Sequence, residues 1–246
     1  MKLPLLTTLL LLATLFCDSS SAQSRKPSPG VKSKPSVAKS AEIGQTAIVI
    51  DETLSVLRKN PSLFSEAVHR MSRGRKVQIL GVTEADGVKF YKVTAPPASY
   101  GWVQADAVFG KFRTADEERL ARYVQASDGF DQIETAVEFF GLYPESKFRA
   151  SILLLFGDLL EEVAAVLTKN ANSRLSRKEM AASAAPLHSY YLNFVSLDRY
   201  RKLGILFLFN SAAKQFHYDG ASWKEITTKY PTATEAIEAQ KRLDSL

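Results

Sequence analysis

The 246-residue chain is long enough for two modest domains with cores of their own, and a composition 46% hydrophobic and 24% charged excludes a disordered polymer. Its formal charge of +6 points to nucleic acid only until it is located: Lys2 and Asp18 cancel, Arg25, Lys26, Lys32, Lys34 and Lys39 follow without an acid, and +1 is left for residues 42–246. A remainder so nearly neutral lacks the electrostatic footprint of a nucleic-acid binder.

Lys2 precedes an apolar run from Leu3 to Phe16 that is too short to anchor a mature chain in a bilayer. Ser20-Ser21-Ala22 then supplies the small residues that signal peptidase accepts. The expectation is a signal peptide over 1–22 and export to the periplasm or cell envelope. Cys17 offers a second reading, a lipoprotein acylated there, although Phe16 and Thr14 stand where a lipobox carries a small residue and a leucine. With the ordinary signal the mature chain has no cysteine and uses neither disulfide nor thiol chemistry. Residues 23–42, "QSRKPSPGVKSKPSVAKSAE", read as a basic, extended linker. It is either a solubilising spacer or a peripheral tether to anionic membrane or wall surfaces that weakens as salt rises.

From Ala47 the chain changes to short runs rich in Val, Ile, Tyr and Phe, in the stretches "TAIVI", "KVQILGV", "VKFYKVTA" and "YGWVQ". Asp86-Gly87 is a hairpin turn between two of them. Runs at this spacing predict a small all-β barrel or sandwich over 43–112 rather than a βαβ unit.

Three stretches of this region, "SVLRKNPS", "MSRGRKVQILG" and "FYKVTAPPASYGWVQADAVF", stand in the order and spacing of a known family. From about Leu54 to Phe109 the chain resembles the bacterial Src-homology-3 domain, with its opening Val-Arg-x-Gly-Pro-Ser, its Val-x-Val-Leu strand and its Gly-Trp-Val ending. It differs at Asn60, Phe90 and Pro96-Pro97. The resemblance implies a barrel that recognises an extended peptide or a cell-wall cross-bridge. Tyr91, Tyr100 and Trp102 are then the aromatic ligand-binding candidates, since flat rings give much contact area at little entropic cost. In so small a barrel about half of an alternating aromatic set must fill the interior, so core packing competes for the same side chains.

Thr114 followed by Glu117 has the form of a capping box, and Leu120, Tyr123 and Val124 recur at helical spacing. "GKFRTADEE" is therefore the domain boundary, and 113–246 reads as helical. A second helix from about Phe130 ends at Tyr143-Pro144, and Tyr230-Pro231 repeats the device; Pro stops one helix and is expected at the first position of the next. These sites resemble the repeat boundaries of tetratricopeptide-type hairpins, which implies a concave protein-binding surface. Their separation of 87 positions is not a whole number of repeats of about 34 residues, so the repeats are degenerate or interrupted. "SILLLFGDLLEEVAAVL" is a core helix, its Asp158, Glu161 and Glu162 breaking any membrane span, and residues 168–185 read as a polar connection.

Residues 204–218 read as a β-hairpin inserted among the helices, with a continuous helix from Asp198 to Phe216 as the alternative. Tyr190, Tyr191, Arg199, Tyr200, His217 and Tyr218 cluster around this feature. They either form the floor of a polar-aromatic pocket or pack the hairpin onto the helices.

Support for catalysis is thin. His69, His188 and His217 are not in metal-ligand spacing, and no H-E-x-x-H, G-x-S-x-G, P-loop or dinucleotide motif occurs. Asp116, Glu117, Glu118, Glu161 and Glu162 read as solvated helix faces. No catalytic residue, metal or cofactor is assigned. The expected function is an exported, non-catalytic adaptor of the bacterial envelope, the barrel binding cell-wall peptide or an extended protein segment and the helices binding a protein partner. A structural subunit of an envelope complex and a cryptic wall hydrolase are the alternatives.

Overall fold

In a computed structural model, residues 40–97, 99–175, 180 and 185–246 are described. The segment read as a signal peptide, Cys17 and the segment read as a linker as far as Lys39 lie outside the described residues. Those from 40 onward belong to a compact unit spanning Lys39–Leu246. The folded chain thus starts inside the segment read as linker, because Glu42 is already bonded to the sheet.

The first part is an antiparallel sheet of β1 (Thr46–Val49), β2 (Val56–Arg58), β3 (Ala67–Arg70), β4 (Lys76–Ala85), β5 (Val88–Ala95), β6 (Ser99–Gln104) and β7 (Val108–Phe109). Its order is β3-β2-β6-β5-β4-β1-β7. Asp86 (φ 54°) and Gly87 (φ 72°) make the β4–β5 turn, the pair of positive φ angles that matches strand twist in a two-residue hairpin loop. A register shift between Ile79 and Gly81 bends β4 against β5 and curls the sheet. The result is a half-barrel with β3 and β7 at its two ends, not a closed ring. β6 pairs with β5 and β2, the 3₁₀ turn Ala105–Ala107 redirects the chain, and β7 pairs with β1. Strand alternation places Val49, Leu57, Val77, Ile79, Tyr91, Val93 and Val103 on the concave side as one buried cluster.

The second part carries α1 (Asp116–Ala126), α2 (Gly129–Leu142), α3 (Arg149–Leu175), α4 (Leu187–Leu192), α5 (Asp198–Lys202), α6 (Ala221–Lys229) and α7 (Glu235–Asp244). Between α5 and α6 the chain forms the hairpin β8 (Phe207–Asn210) and β9 (Gln215–Tyr218), so a continuous helix over 198–216 does not occur. α3 runs past the apolar stretch into the segment read as a connection. Ala171 is fully buried, and Thr168 Oγ1 accepts the Phe216 N–H of β9 at 2.8 Å. Among the described residues no helix is long and apolar enough to cross a membrane.

Helix entry differs from the sequence reading. Ala115, not Thr114, precedes α1, and no side chain caps it. The capping box does not form because Glu117 accepts from Ser146 Oγ at 2.6 Å, while Asp116 accepts from Gly110 N (3.0 Å), Arg113 Nε (2.8 Å) and Arg119 Nη1 (2.9 Å). Pro144 and Pro231 follow helix ends but do not start the next helices. Two successive tight turns intervene each time: Ser146 N donates to Tyr143 O and Arg149 N to Ser146 O, as Ala233 N does to Tyr230 O and Ala236 N to Ala233 O. The entry to α1 uses the same steps, through Gly110, Arg113 and Asp116.

The junction between sheet and helices is packed. Ile50 and Phe109 belong to the helical core with Leu120, Ile133, Phe139, Leu160 and Trp223. Arg113 donates to Ala105 O at 3.1 Å and to Val108 O, tying the end of the sheet to the buried Asp116. Arg73, its side chain 8% exposed, pairs with Glu134 at 3.2 Å.

Candidate functional site

Alternation along β6 points Gly101 and Val103 inward and Tyr100 and Trp102 outward. Gly101 is required there because a Cβ would sit 2.6 Å from Arg58 O and 2.9 Å from Leu57 Cγ, so only glycine lets β2 approach β6 this closely. Cross-strand register then sets Arg58 of β2 and Lys92 of β5 on either side of Trp102. Lys92 Nζ lies 5.1 Å from the Tyr100 ring centroid and 5.8 Å from that of Trp102. Tyr100 is 54% exposed and Trp102 half-buried. The strip combines two flat rings with two cations and no carboxylate, a surface suited to an extended chain bearing acidic groups.

The loop after β2 borders this strip. Arg58 Nη1 donates to Ser65 O at 2.8 Å and the Asn60 N–H to Ser65 Oγ at 2.9 Å. Ser62 Oγ (2.7 Å) and Leu63 N (2.8 Å) both donate to Asp86 Oδ2 at the β4–β5 turn. Those bonds hold the Asp86 carboxyl below its ordinary pKa. The loop is thus fixed at two points, and between them it holds Phe64 90% exposed. An aromatic ring held in water by a tied loop is a further contact element for a ligand.

Tyr91 does not join the surface. It is fully buried on the concave side, its hydroxyl donating to Glu42 Oε1 at 2.7 Å, and burial followed by that bond pushes its pKa well up. Arg113 lies over its ring, 5.8 Å from the centroid. Tyr91 thus staples the start of the folded chain to the sheet interior.

The six residues around the hairpin do not share one cavity. Tyr191 stacks on Phe209 at 4.4 Å between centroids and donates to Asn172. Tyr200 packs edge-on against Phe130 and Phe207, and its hydroxyl accepts from Arg199, whose guanidinium lies 4.3 Å from the Phe130 centroid. Tyr218 packs on Trp223, and its hydroxyl accepts the Ser222 N–H. His217 projects from the opposite face of β9 toward Glu161 at 3.4 Å. The Tyr190 hydroxyl is buried without a partner among the described residues. Strand alternation separates His217 from Tyr218, and the helix turns separate the tyrosines. Arg199 and Tyr200 line a common groove, of about 320 Å³, with Phe130, Ile133, Val163 and Leu167. Among the described residues no group of three or more His, Cys, Asp or Glu side chains could hold a metal ion.

No protein family, curated protein or solved structure matches this chain. Three site residues escaped the sequence reading: Arg58, Lys92 and Phe64. Lys92 sits two positions before Thr94 on the face opposite Tyr91 and Val93, a parity that was readable, whereas Arg58 and Phe64 depend on how β2 meets β6.

Proposed function

We propose that residues 43–112 are a binding module of the bacterial Src-homology-3 kind, in an exported, non-catalytic adaptor of the bacterial cell envelope. The helical part, tetratricopeptide-like in its Tyr-Pro turns, meets a protein partner. The observation that carries this reading is the outward strip of Tyr100, Lys92, Trp102 and Arg58 beside the exposed Phe64. Wall peptides are short, extended and rich in free carboxylates, which matches two rings flanked by two cations. The basic segment through Lys39 adds weaker, salt-sensitive attraction to the same surface.

The test is co-sedimentation of the purified protein with isolated peptidoglycan at low and moderate salt, beside a Tyr100→Ala/Trp102→Ala variant of unchanged circular dichroism. Salt-resistant binding that falls roughly tenfold or more in the variant is the expected result. Equal binding by both proteins that disappears with salt assigns the attraction to the basic segment. No sedimentation at all refutes the wall ligand.

A further inference from the structure

The two-stranded sheet of β8 and β9 has one sealed edge and one open edge. Asp219 N donates to Leu206 O, so the hydrogen-bonded pairs of this hairpin are Leu206 with Asp219, Leu208 with His217 and Asn210 with Gln215. On the far side of β9 the outward N–H groups are capped by α3: Phe216 N donates to Thr168 Oγ1 at 2.8 Å and Tyr218 N to Glu161 Oε2 at 2.9 Å. On the far side of β8 the N–H and C=O groups of Phe207 and Phe209 point outward and make no hydrogen bond among the described residues.

Edges elsewhere are protected. β7 is two residues long and has its Val108 O taken by Arg113, while β3 is flanked by Glu66 and ends in Arg70. β8 reads Phe-Leu-Phe-Asn and carries no charge at all. Its solvent side shows Leu206 and Leu208, 56% and 58% exposed. α4, which packs against β8, exposes Leu187 and Leu192, and Val195 beyond it is 77% exposed. An uncharged open edge with apolar residues beside it is what native proteins avoid unless something pairs with it.

We propose that β8 is a self-pairing edge and that its occupant is β8 of a second copy of this chain, aligned antiparallel about a twofold axis at Leu208. Phe207 then faces Phe209 of the second copy and Phe209 faces its Phe207. Both residues present outward N–H and C=O, so each facing pair exchanges both bonds, as a hydrogen-bonded antiparallel pair requires. Leu208 meets its counterpart in the non-hydrogen-bonded site between them, where Cα atoms approach to about 4.5 Å. The contact is isologous and closes after two copies, giving a continuous β9-β8-β8-β9 sheet. It uses none of the Tyr100–Trp102 strip and stands or falls independently of the ligand proposed there.

The test is sedimentation equilibrium of the purified protein over a concentration series. The small strand contact predicts reversible dimerisation with a dissociation constant on the order of 10–100 µM. Leu208→Lys places like charges on the axis and is expected to weaken association at least roughly tenfold. Its side chain is solvent-facing, so the thermal melt stays unchanged. Mixing Leu208→Lys with Leu208→Glu restores a dimer, and Leu208→Cys in a Cys17→Ser background forms an intermolecular disulfide, the Cα separation lying within the roughly 4.4–6.8 Å that a disulfide spans. A protein still monomeric at about 1 mM overturns the proposal. So does a dimer indifferent to Leu208→Lys, or one in which the two charged variants fail to pair.

Discussion

Gly157→Ala isolates a conflict between local and tertiary preference. Gly157 lies within α3, where alanine gains about 1 kcal/mol over glycine in an exposed helix. Here the added Cβ would sit 2.3 Å from Trp223 Nε1, 2.5 Å from Trp223 Cε2 and 2.6 Å from Ser222 Oγ. The indole cannot swing aside, because Trp223 is 1% exposed and held edge-on by Tyr218 at 5.5 Å. α6 must therefore move away from α3 by about 1 Å or more, an overpacking that costs roughly 1–3 kcal/mol and falls at the upper end for a rigid ring. After the propensity gain is subtracted, a net loss of roughly 1–2 kcal/mol is expected. Urea melts followed by tryptophan fluorescence and by far-ultraviolet circular dichroism measure it, with an unchanged slope confirming that stability rather than compactness has shifted. The Trp223→Phe background removes the clashing atoms and should shrink the cost of Gly157→Ala, a coupling that a double-mutant cycle reads directly. Stabilisation by about 1 kcal/mol in the wild-type background would refute the close helix crossing.

Asp116→Ala removes the buried carboxylate that Arg113 and Arg119 share, leaving Arg113 its bonds to Ala105 O and Val108 O and Arg119 its pair with Asp106, and it leaves Gly110 N unpaired. Both arginines keep partial solvent contact, so a loss of roughly 3 kcal/mol is expected in the same melts, and a loss below about 1 kcal/mol would show that the junction does not depend on this carboxylate. Glu42 supplies the pH dependence. Burial raises its pKa, but hydrogen bonds from Lys89, Tyr91 and Ser40 and the Lys89 charge outweigh it and hold the group down to about 2. Its folded value lies below the unfolded one, so its stabilisation is complete above the ordinary glutamate range and is lost as pH falls toward 2. Glu42→Gln should therefore be less stable than wild type at pH 7 and converge on it at pH 2; a gap that is the same at both pH values contradicts the assignment.

Much of the secondary structure was legible because its causes are local. Asp86-Gly87 needs only its own φ angles to make a hairpin turn, and the aromatic content with flanking turns of residues 204–218 favoured strands over helix. Tyr143-Pro144 and Tyr230-Pro231 likewise marked helix ends, although the turns that follow came from backbone bonds no composition announces. The capping box does not form: Glu117 accepts instead from Ser146, 29 positions away in the chain, a partner only the fold brings near.

The candidate site was half legible for a reason of parity. Tyr91, Tyr100 and Trp102 are equally good interior or exterior residues in sequence, and a shift of one residue in register exchanges the faces. Pairing of β5 with β6 sends Tyr91 inward and the other two outward.

The sequence by itself determined where the chain extends, where it turns and where it coils, since those follow from side-chain period and backbone preference over a few residues. Only the tertiary structure decided that the sheet stays open, that Arg58 and Lys92 flank Trp102, and that Gly157 is a contact point rather than a helix defect. Each of those depends on atoms brought together from distant parts of the chain, and packing at that range leaves no periodic mark in the sequence.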